Sequence, residues 1–551
     1  MNSELFRGNL CGMQKVLTAA EIREVDRLTT EEYGIPSLLL MENAAHAVAR
    51  VITKKLGGSV KYKKFLILCG KGNNGGDGLA LARILWTQGA NVSLCLTAAD
   101  KEMKGDARKN LEVFRELHRG QKIGEPALCL IEVAAHRMFF DSLHNYFDYN
   151  VVIDALFGTG LTAPLRNDFA LLAKAFGSAF ETVERPIFLS IDIPSGLDAN
   201  NADVIGPSLL ADLTVTFTAP KPANILPPAS NFNGELTVAN IGSPLELIVR
   251  QPSQIFLAEK SDAKRWLENT SFSADSYKNK RGHALLIAGS KDYSGAAVLC
   301  GNAAMRSGAG LVTVMTNEMS YETVASRVLP EVIVKCITEN EDGSISDTAF
   351  SEVDNAWQKA DAVAVGSGLS FGEQNLSKFI DLLVEKRRTP MIIDASALNA
   401  LSPFKIQGSN LFPLILTPHE GEFLRLLGTE DKEVLKDRVT AVREFAQRHN
   451  VILVLKGERT LIAEPNGKVV VNPTGNAGLG KAGNGDTLTG IIAGFVAQAS
   501  QMKVDIFETV VAAVYIAGMA GDIAEKKYGK RIMTASDVRE CLGEAFEAVN
   551  G

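Results

Sequence analysis

Short unbroken apolar runs alternate along this chain with stretches whose apolar residues recur every three or four positions. In the first half the runs are FLILCG (65–70), VSLCLT (92–97), VVIDALFG (151–158), IFLSIDIP (187–194) and LTVTFTAP (213–220). Segments between them, such as LALARILWTQG, carry the helical spacing. Unbroken runs predict strands buried on both faces, and strand–helix alternation predicts a mainly parallel sheet with helices on each side. Ahead of the first run, residues 18–56 predict two helices, with Thr18 and Glu21 in capping-box spacing and a break at Gly34-Ile35-Pro36.

The alternation restarts with ALLIAG (284–289), LVTVMT (311–316), AVAVG (362–366), MIIDA (391–395), LILT (414–417) and VILVLKG (451–457). TLIAEPNGKVVVN then predicts a hairpin turning at Asn466-Gly467. Residues 244–262 hold neither period for long, which places a boundary near 250–260. The expected fold class is therefore α/β: two three-layer αβα domains, residues 13–250 and 251–551. The halves share a class but not their motifs, so a fusion is expected and not a repeat. Residues 1–12 match no pattern and are expected to be an extra or disordered segment.

Composition narrows the function classes. A chain of 551 residues is too long for one core. Apolar content of 46% with 22% charged residues describes an ordinary globular protein. A net charge of −7 supplies no broad attraction to nucleic acid or an anionic membrane, so neither partner is expected and any phosphate must be held locally. The seven cysteines form no C-x-x-C pair and are expected to be reduced, buried small hydrophobes of a cytoplasmic protein. The most apolar stretches, LTGIIAGFVAQA and VVAAVYIAGMAGDIA, fall short of the ~18–20 residues of a membrane helix.

Two glycine-framed segments stand between a strand and a helix. The first is Gly72-Asn73-Asn74-Gly75-Gly76-Asp77-Gly78, whose glycines allow positive φ and close backbone approach while Asn73, Asn74 and Asp77 supply polar groups. It is not the G-x-G-x-x-G fingerprint. Asp154 and Asp192 close later strands and are followed by Phe157-Gly158-Thr159-Gly160-Leu161 and Ile193-Pro194-Ser195-Gly196. Ligands bind at such carboxyl ends in open α/β sheets, which makes this half Rossmann-like. A tight turn or a helix-capping acid is the plain alternative at any one position; three polar strand ends together favour a site.

The second segment runs from Gly475 to Asp486 and feeds a helix, where uncovered N–H groups and the helix dipole favour a transferring phosphoryl group. Asp486 is placed to take a proton from an attacking hydroxyl. G-x-G-D at a helix entry is widespread in ribokinase-like small-molecule kinases, and the second half is expected to share that fold.

GNNGGDG, DALFGTG, DIPSGLD and IPSLLLMENAA together resemble the NAD(P)H-hydrate epimerase domain, over roughly residues 16–245. The resemblance implies that Asn73, Asn74, Gly75, Gly76 and Asp77, with Gly158, Thr159, Gly160, Leu161, Thr162, Ala163 and Pro164, hold the hydrated dinucleotide. It implies a potassium ion near Asn74, Asp154 and Ser195, and contact between Asp192 and substrate. The reaction implied is inversion at the hydroxyl-bearing carbon of a damaged nicotinamide ring, with Asp192 assisting proton transfer.

In the second half KRGH (280–283), SGAAVLCGNAAMRSGAGLVTV, VGSG (365–368), DASAL (394–398), LTPHEGEFLRLLG (416–428) and LKGERT (455–460) resemble the ADP- or ATP-dependent NAD(P)H-hydrate dehydratase domain. That resemblance spans roughly residues 260–545 and fits a known fused bacterial pair. It implies that Gly368, Thr417, Pro418, His419, Glu420, Gly421, Glu422, Phe423 and Asp486 contact the hydrated dinucleotide. Lys456, Gly457, Glu458, Arg459 and Thr460 would cradle the adenine nucleotide, with Asn476, Ala477, Gly478, Leu479, Gly480, Lys481, Ala482, Gly483, Asn484 and Gly485. Asp486 would activate the ring hydroxyl for phosphorylation, phosphate would leave, and magnesium would neutralise the transferring group. The chain departs from the family pattern at Ala477, Ala482, Asn484 and in DASAL, but keeps the acid and its nearest glycines.

The reading that results is a bifunctional repair enzyme using ADP or ATP, with homo-oligomeric assembly expected. The alternative is a vitamin-precursor kinase fused to a ligand-binding domain; an inert N-terminal scaffold is disfavoured by Asp77, Asp154 and Asp192.

Overall fold

The computed structural model describes residues 13–132, 146–180, 182, 184–340, 346, 348–370, 373–409 and 411–551, so the expected extra segment 1–12 lies outside the described residues. Two compact units form, Lys15–Ser253 and, together with residues 13–14, Gln254–Gly551.

The N-terminal unit opens with the helix Ala19–Tyr33, whose Thr18 hydroxyl accepts from Glu21 N while the Glu21 carboxylate accepts from Thr18 N. Gly34 ends it in the left-handed conformation, at φ 69°, and Pro36 precedes the next helix, Ser37–Lys55. Seven parallel strands follow in the spatial order Leu128–Glu132, Asn91–Leu96, Lys64–Cys69, Val151–Ala155, Ile187–Ile191, Leu213–Phe217, Glu235–Ala239. The chain thus fills the sheet outward from Lys64–Cys69, first to one side and then to the other, beginning with Val151–Ala155. Side chains alternate between faces, so Phe65, Ile67 and Val151 pack under the helices Ser37–Lys55, Asn73–Thr87 and Gly105–Gly120. Leu66, Leu68 and Val152 pack against Asn167–Ala179 on the other face.

The C-terminal unit holds the larger, mixed sheet, eleven strands in all. Its parallel part runs Ile333–Ile337, Leu311–Asn317, His283–Ile287, Ala362–Val365, Met391–Ile393, Leu414–Leu416, Ile452–Leu455. The hairpin then adds Leu461–Ala463 and Val469–Val471 antiparallel, with Gly467 at φ 96° in its turn, as the Asn-Gly pair predicts. Ile255–Leu257 pairs parallel with Val469–Val471 beyond the hairpin. Here the order of growth reverses between His283–Ile287 and Ala362–Val365.

Three strands that hydrophobic runs do not predict, Leu128–Glu132, Glu235–Ala239 and Ile333–Ile337, all lie at sheet edges and are mostly half-buried or exposed. An edge strand needs no unbroken apolar run, which is why the pattern misses it. Two of these strands carry Cys129 and Cys336, which are exposed free thiols and not the buried ones expected. The region 244–262, which holds neither period, contains the short helix Leu245–Arg250 and the strand Ile255–Leu257.

One helix, Ile506–Tyr528, is long and apolar enough to cross a membrane by length and composition, correcting the expectation that no stretch reaches that length. Of its most apolar window 72% is buried inside the unit, where it packs beside Asn484–Met502. Its Thr509 hydroxyl accepts from the indole N–H of Trp266 at 2.9 Å, and the Trp266 ring stacks on Phe495 with centroids 4.0 Å apart. Thr509→Val keeps the shape and strips the buried indole N–H of its acceptor. Urea unfolding is expected to show a loss of about 1–3 kcal/mol; unchanged stability would mean the N–H finds another partner.

Candidate functional site

At the first reversal point the segment Gly72–Gly78 is not a loop ahead of a helix. It forms the first turns of the helix Asn73–Thr87, with Gly72 as N-cap and no side chain capping it. None of its glycines takes a positive φ. They are glycines because neighbours come too close: a Cβ on Gly75 would stand 1.9 Å from Gly70 O, and one on Gly78 2.7 Å from Ala155 Cβ. Packing this tight brings the uncapped helix start down onto the strand ends, leaving its first N–H groups for an anion.

Asp154, at the end of Val151–Ala155, is buried. It accepts from Leu156 N (3.2 Å), Ser190 Oγ (3.1 Å), Ser195 N (2.8 Å) and Ser195 Oγ (2.6 Å). Burial pushes its carboxyl above the usual range, and the Ser195 bonds pull it back. Asn74 Nδ2 and Ser195 Oγ both donate to Phe157 O, at 3.0 and 3.2 Å. Asn74, Asp154 and Ser195 are therefore brought together, and Asn74 Oδ1 is buried there with no hydrogen-bond partner among the described residues. An unpaired buried carbonyl oxygen beside a carboxylate suits a hard cation such as potassium.

Asp192 takes φ 68°, which turns it out of the strand line. Its Oδ1 accepts from Thr216 Oγ1 (3.0 Å) and from the fully buried Lys221 Nζ (2.5 Å). Its Oδ2 lies 3.8 Å from where a Cβ on Gly158 would stand, a position also 3.3 Å from Asn74 Cβ. Gly158, Asn74 and Asp192 thus converge. Thr162, Ala163 and Pro164 are exposed and Thr159 half-buried, forming an outer wall, while Asn73 is exposed at the helix start.

Two further carboxyls face this group. Burial pushes Asp77 well above its usual range, and the charges of Asp192 and Asp26 add to the effect. Burial pushes Asp26, on the first helix, up to about 6. Sequence reasoning missed Asp26, which carries no motif signal. It also missed Lys221, although Ala-Pro-Lys-Pro follows the strand Leu213–Phe217 at the same carboxyl edge.

At the second site Gly483 sits at φ 90° as the N-cap of Asn484–Met502, again with no side-chain cap. Asp486 lies in the first turn, and burial with the charge of nearby Asp394 raises its carboxyl to about 6. Asp394 is almost fully buried and accepts from Lys456 Nζ (2.8 Å), Thr417 Oγ1 (2.9 Å) and Thr489 Oγ1 (2.8 Å). Burial alone would lower the Lys456 ammonium, but Asp394, Glu422 and Asp486 more than offset it and hold it above its ordinary value. Lys456 Nζ would stand 3.5 Å from a Cβ on Gly485, so the cation lies over the helix start. Among the described residues the buried hydroxyls of Ser290 and Thr487, and Asn484 Oδ1, have no hydrogen-bond partner, while the Ser367 hydroxyl bonds to Asp486 and pulls its carboxyl back down. Gly368, at φ 66°, packs against Ala296 and Tyr293 beside Ser367.

A cavity of about 920 Å³ adjoins this group. Lys456, Gly457, Glu458, Arg459, Thr460, Asn476, Ala477, Leu479, Gly480, Lys481, Asn484 and Gly485 line it, as does the half-exposed His419. Its apolar wall, missed from sequence, is Leu488, Ile491, Val514, Ala517 and Val538. These belong to three helices and form no contiguous motif. Several of the expected contact residues also have partners within the fold. Lys481 Nζ donates to Arg531 O and to Met533 O (2.9 Å), and Gly478 is small because Met533 Sδ would lie 2.3 Å from a Cβ there. Phe423 is fully buried against Phe445, and His419 Nδ1 accepts from Gly421 N at 3.0 Å as a helix cap. Glu422 is buried with its carboxylate on His419 N (2.8 Å), Pro418 is buried, Glu420 lies 3.6 Å from Arg438, and Gly421 is half-buried. Ala482 is exposed, so its methyl crowds no neighbour. Among the described residues no three His, Cys, Asp or Glu side chains form a metal-binding group.

A family model described as NAD(P)H-hydrate dehydratase matches residues 284–543, and one described as YjeF-related protein N-terminus matches residues 37–223. The bifunctional NAD(P)H-hydrate repair enzyme of Moorella thermoacetica is 36% identical over 96% of this chain and 96% of its own length. The enzyme of the same name from Thermofilum pendens is 33% identical, covering 97% of each. Among solved structures, an ADP/ATP-dependent NAD(P)H-hydrate dehydratase from Bacillus subtilis, co-crystallised with ATP and magnesium, is 31% identical with a TM-score of 0.45; the match covers 53% of this chain and 98% of that one.

The Lys456–Asp394 pair makes the second site a structural risk as well as a binding one. Lys456→Met leaves Asp394 buried without its cation, and a loss on the order of 3 kcal/mol is expected in urea unfolding. Wild-type stability in that variant would show that Thr417 and Thr489 suffice to hold the carboxylate.

Proposed function

The chain belongs to the bifunctional NAD(P)H-hydrate repair enzymes, and from that premise we propose that its N-terminal unit epimerises hydrated NADH or NADPH while its C-terminal unit dehydrates it, consuming an adenine nucleotide. One observation carries the reading: Asp486, ionising near pH 6, stands in an uncapped helix turn under the Lys456 ammonium and beside a nucleotide-sized cavity.

Hydroxide is a poor leaving group and phosphate a good one. Asp486 accepts the proton of the ring hydroxyl, whose oxygen attacks the terminal phosphoryl of ADP or ATP. The Lys456 ammonium and the free N–H groups of Gly485 and Asp486 stabilise charge on that phosphoryl. The apolar wall of Leu488, Ile491 and Val514 suits the adenine ring, and Arg459 and Thr460 lie beside it along the cavity. Asn484 Oδ1 and Thr487 Oγ1, buried and without a hydrogen-bond partner among the described residues, would hold a magnesium ion bound with the nucleotide, which would neutralise phosphate charge. Phosphate leaves with the electron pair of the C–O bond, and loss of a proton from the adjacent ring carbon forms the ring double bond that restores the dihydropyridine.

In the N-terminal unit, Asn74, Asp154 and Ser195 would hold potassium, whose charge would screen the phosphates of a hydrated dinucleotide at the start of Asn73–Thr87. Asp192 Oδ2, which accepts no hydrogen bond among the described residues, is the group offered to the substrate ring.

A raised carboxylate pKa means that the base form of Asp486 exists above about pH 6 and is lost below it. Dehydration, followed as recovery of reduced-nicotinamide absorbance, is therefore expected to fall as pH drops through about 6. Asp486→Asn should lose about 10²–10⁴-fold in rate. A flat profile, or accumulation of a stable phosphorylated product, would indicate a different reaction. Replacing potassium by lithium should slow epimerisation in the wild type and change nothing in Asn74→Leu; equal rates in both salts would remove the cation from the site.

A further inference from the structure

Three carboxyls, Asp26, Asp77 and Asp192, share a single buried ammonium, Lys221. The sharing is unequal. Lys221 is fully buried and spends its three N–H bonds on Asp192 Oδ1 (2.5 Å), Thr216 Oγ1 (2.8 Å) and Phe217 O (3.2 Å). Thr216 adds a second bond to the same Asp192 oxygen. Asp77, by contrast, makes no hydrogen bond among the described residues, although it is buried in the helix start that frames the site. A carboxyl taken out of water with no donor keeps its proton, while one bonded to an ammonium gives it up. Two carboxyls held in opposite states at one site are what an acid–base pair requires.

We propose that Lys221 is a positioning residue that assigns the role of base to Asp192 and leaves Asp77 as the catalytic acid of epimerisation. The inference rests on the epimerase reading above. In the hydrated ring the carbon to be inverted carries both the hydroxyl and the ring nitrogen. The hydroxyl proton passes to Asp192 Oδ2 as the C–O bond becomes a carbonyl and the C–N bond breaks. The electron pair of that bond goes to the ring nitrogen, which takes its proton from the Asp77 carboxyl. Rotation about the adjacent C–C bond turns the other face of the aldehyde to the nitrogen. Closure returns the nitrogen's proton to Asp77 and the Asp192 proton to the oxygen, so no atom or charge is gained or lost. Asp26, from Ala19–Tyr33, backs the pair with an unpartnered Oδ1, and the Cys69 thiol, pushed up by burial, stays neutral beside Asp77.

The test is interconversion of the two separated epimers by the full chain without adenine nucleotide, followed by chromatography from about pH 5 to 9. Asp77→Asn, which keeps the shape and removes the acid, should lose about 10²-fold or more in kcat with KM little changed. Lys221→Met should lose about 10-fold or more in kcat with KM little changed, and Lys221→Arg, which keeps a cation against Asp192 Oδ1, should recover part of that loss. Full activity in Asp77→Asn overturns the proposal, as does wild-type kcat in Lys221→Met or a Lys221→Arg variant no better than Lys221→Met. Should Lys221→Met fail to fold, Asp77→Asn decides alone. Absence of epimerisation in the wild type is a separate result, which overturns the epimerase reading itself.

Discussion

A carboxylate removed from water has to be met by donors, by a cation or by a proton, and the centre of each unit is arranged by that demand. Asp154 is met by donors: four hydrogen bonds from Leu156, Ser190 and Ser195 tie its strand end to the neighbouring strand and to the turn beyond it. Asp394 is met by a cation and two hydroxyls, joining the ends of Leu414–Leu416 and Ile452–Leu455 to the helix Asn484–Met502. These two acids are anchors. Asp77 and Asp192 in one unit and Asp486 in the other are the acids proposed to transfer protons.

Topology explains why anchors and acids meet where they do. In both sheets the order of growth reverses once, beside Lys64–Cys69 and beside His283–Ile287, so the connections at those strand ends diverge and leave a crevice. Close approach then decides the sequence at the crevice floor. A Cβ on Gly70 would stand 1.9 Å from Leu156 O, and one on Gly75 1.9 Å from Gly70 O, so neither position has room for a side chain. The helices that start there, unlike those capped by Thr18, Asp437 or Asp505, have no side chain on their first N–H groups. An uncapped helix start is a small loss of stability that an anionic ligand recovers.

The two chemistries differ because the charges beside the crevices differ. A fully buried lysine and three acids suit the N-terminal site to the proton transfers proposed for it. In the C-terminal site a lysine poised over a helix start, with one acid ionising near pH 6 and a large half-apolar cavity, favours transfer of a phosphoryl group to a hydroxyl. A dehydration carried on such a scaffold follows from making the departing oxygen a phosphate.

The alternation of apolar runs determined the layered α/β class, and every buried parallel strand was legible because a strand covered on both faces must be continuously apolar. The Thr18 cap, the Gly34 break and the Asn466-Gly467 turn were legible for a similar reason: each is a local interaction between residues a few positions apart. Short glycine-rich and acidic motifs likewise exposed Asn74, Asp154, Ser195 and Asp486. Tertiary structure alone decided the edge strands, whose half-exposed faces carry no clear period, and the conformation of Asn73–Gly78, helical where a loop was expected. It alone brought Lys221 and Asp26 to Asp192, and Asp394 to Lys456, across 29 and 62 residues in the two ion pairs. Which acid keeps its proton and which loses it depends on burial and on neighbours distant in the chain, and neither exists until the sheet has formed.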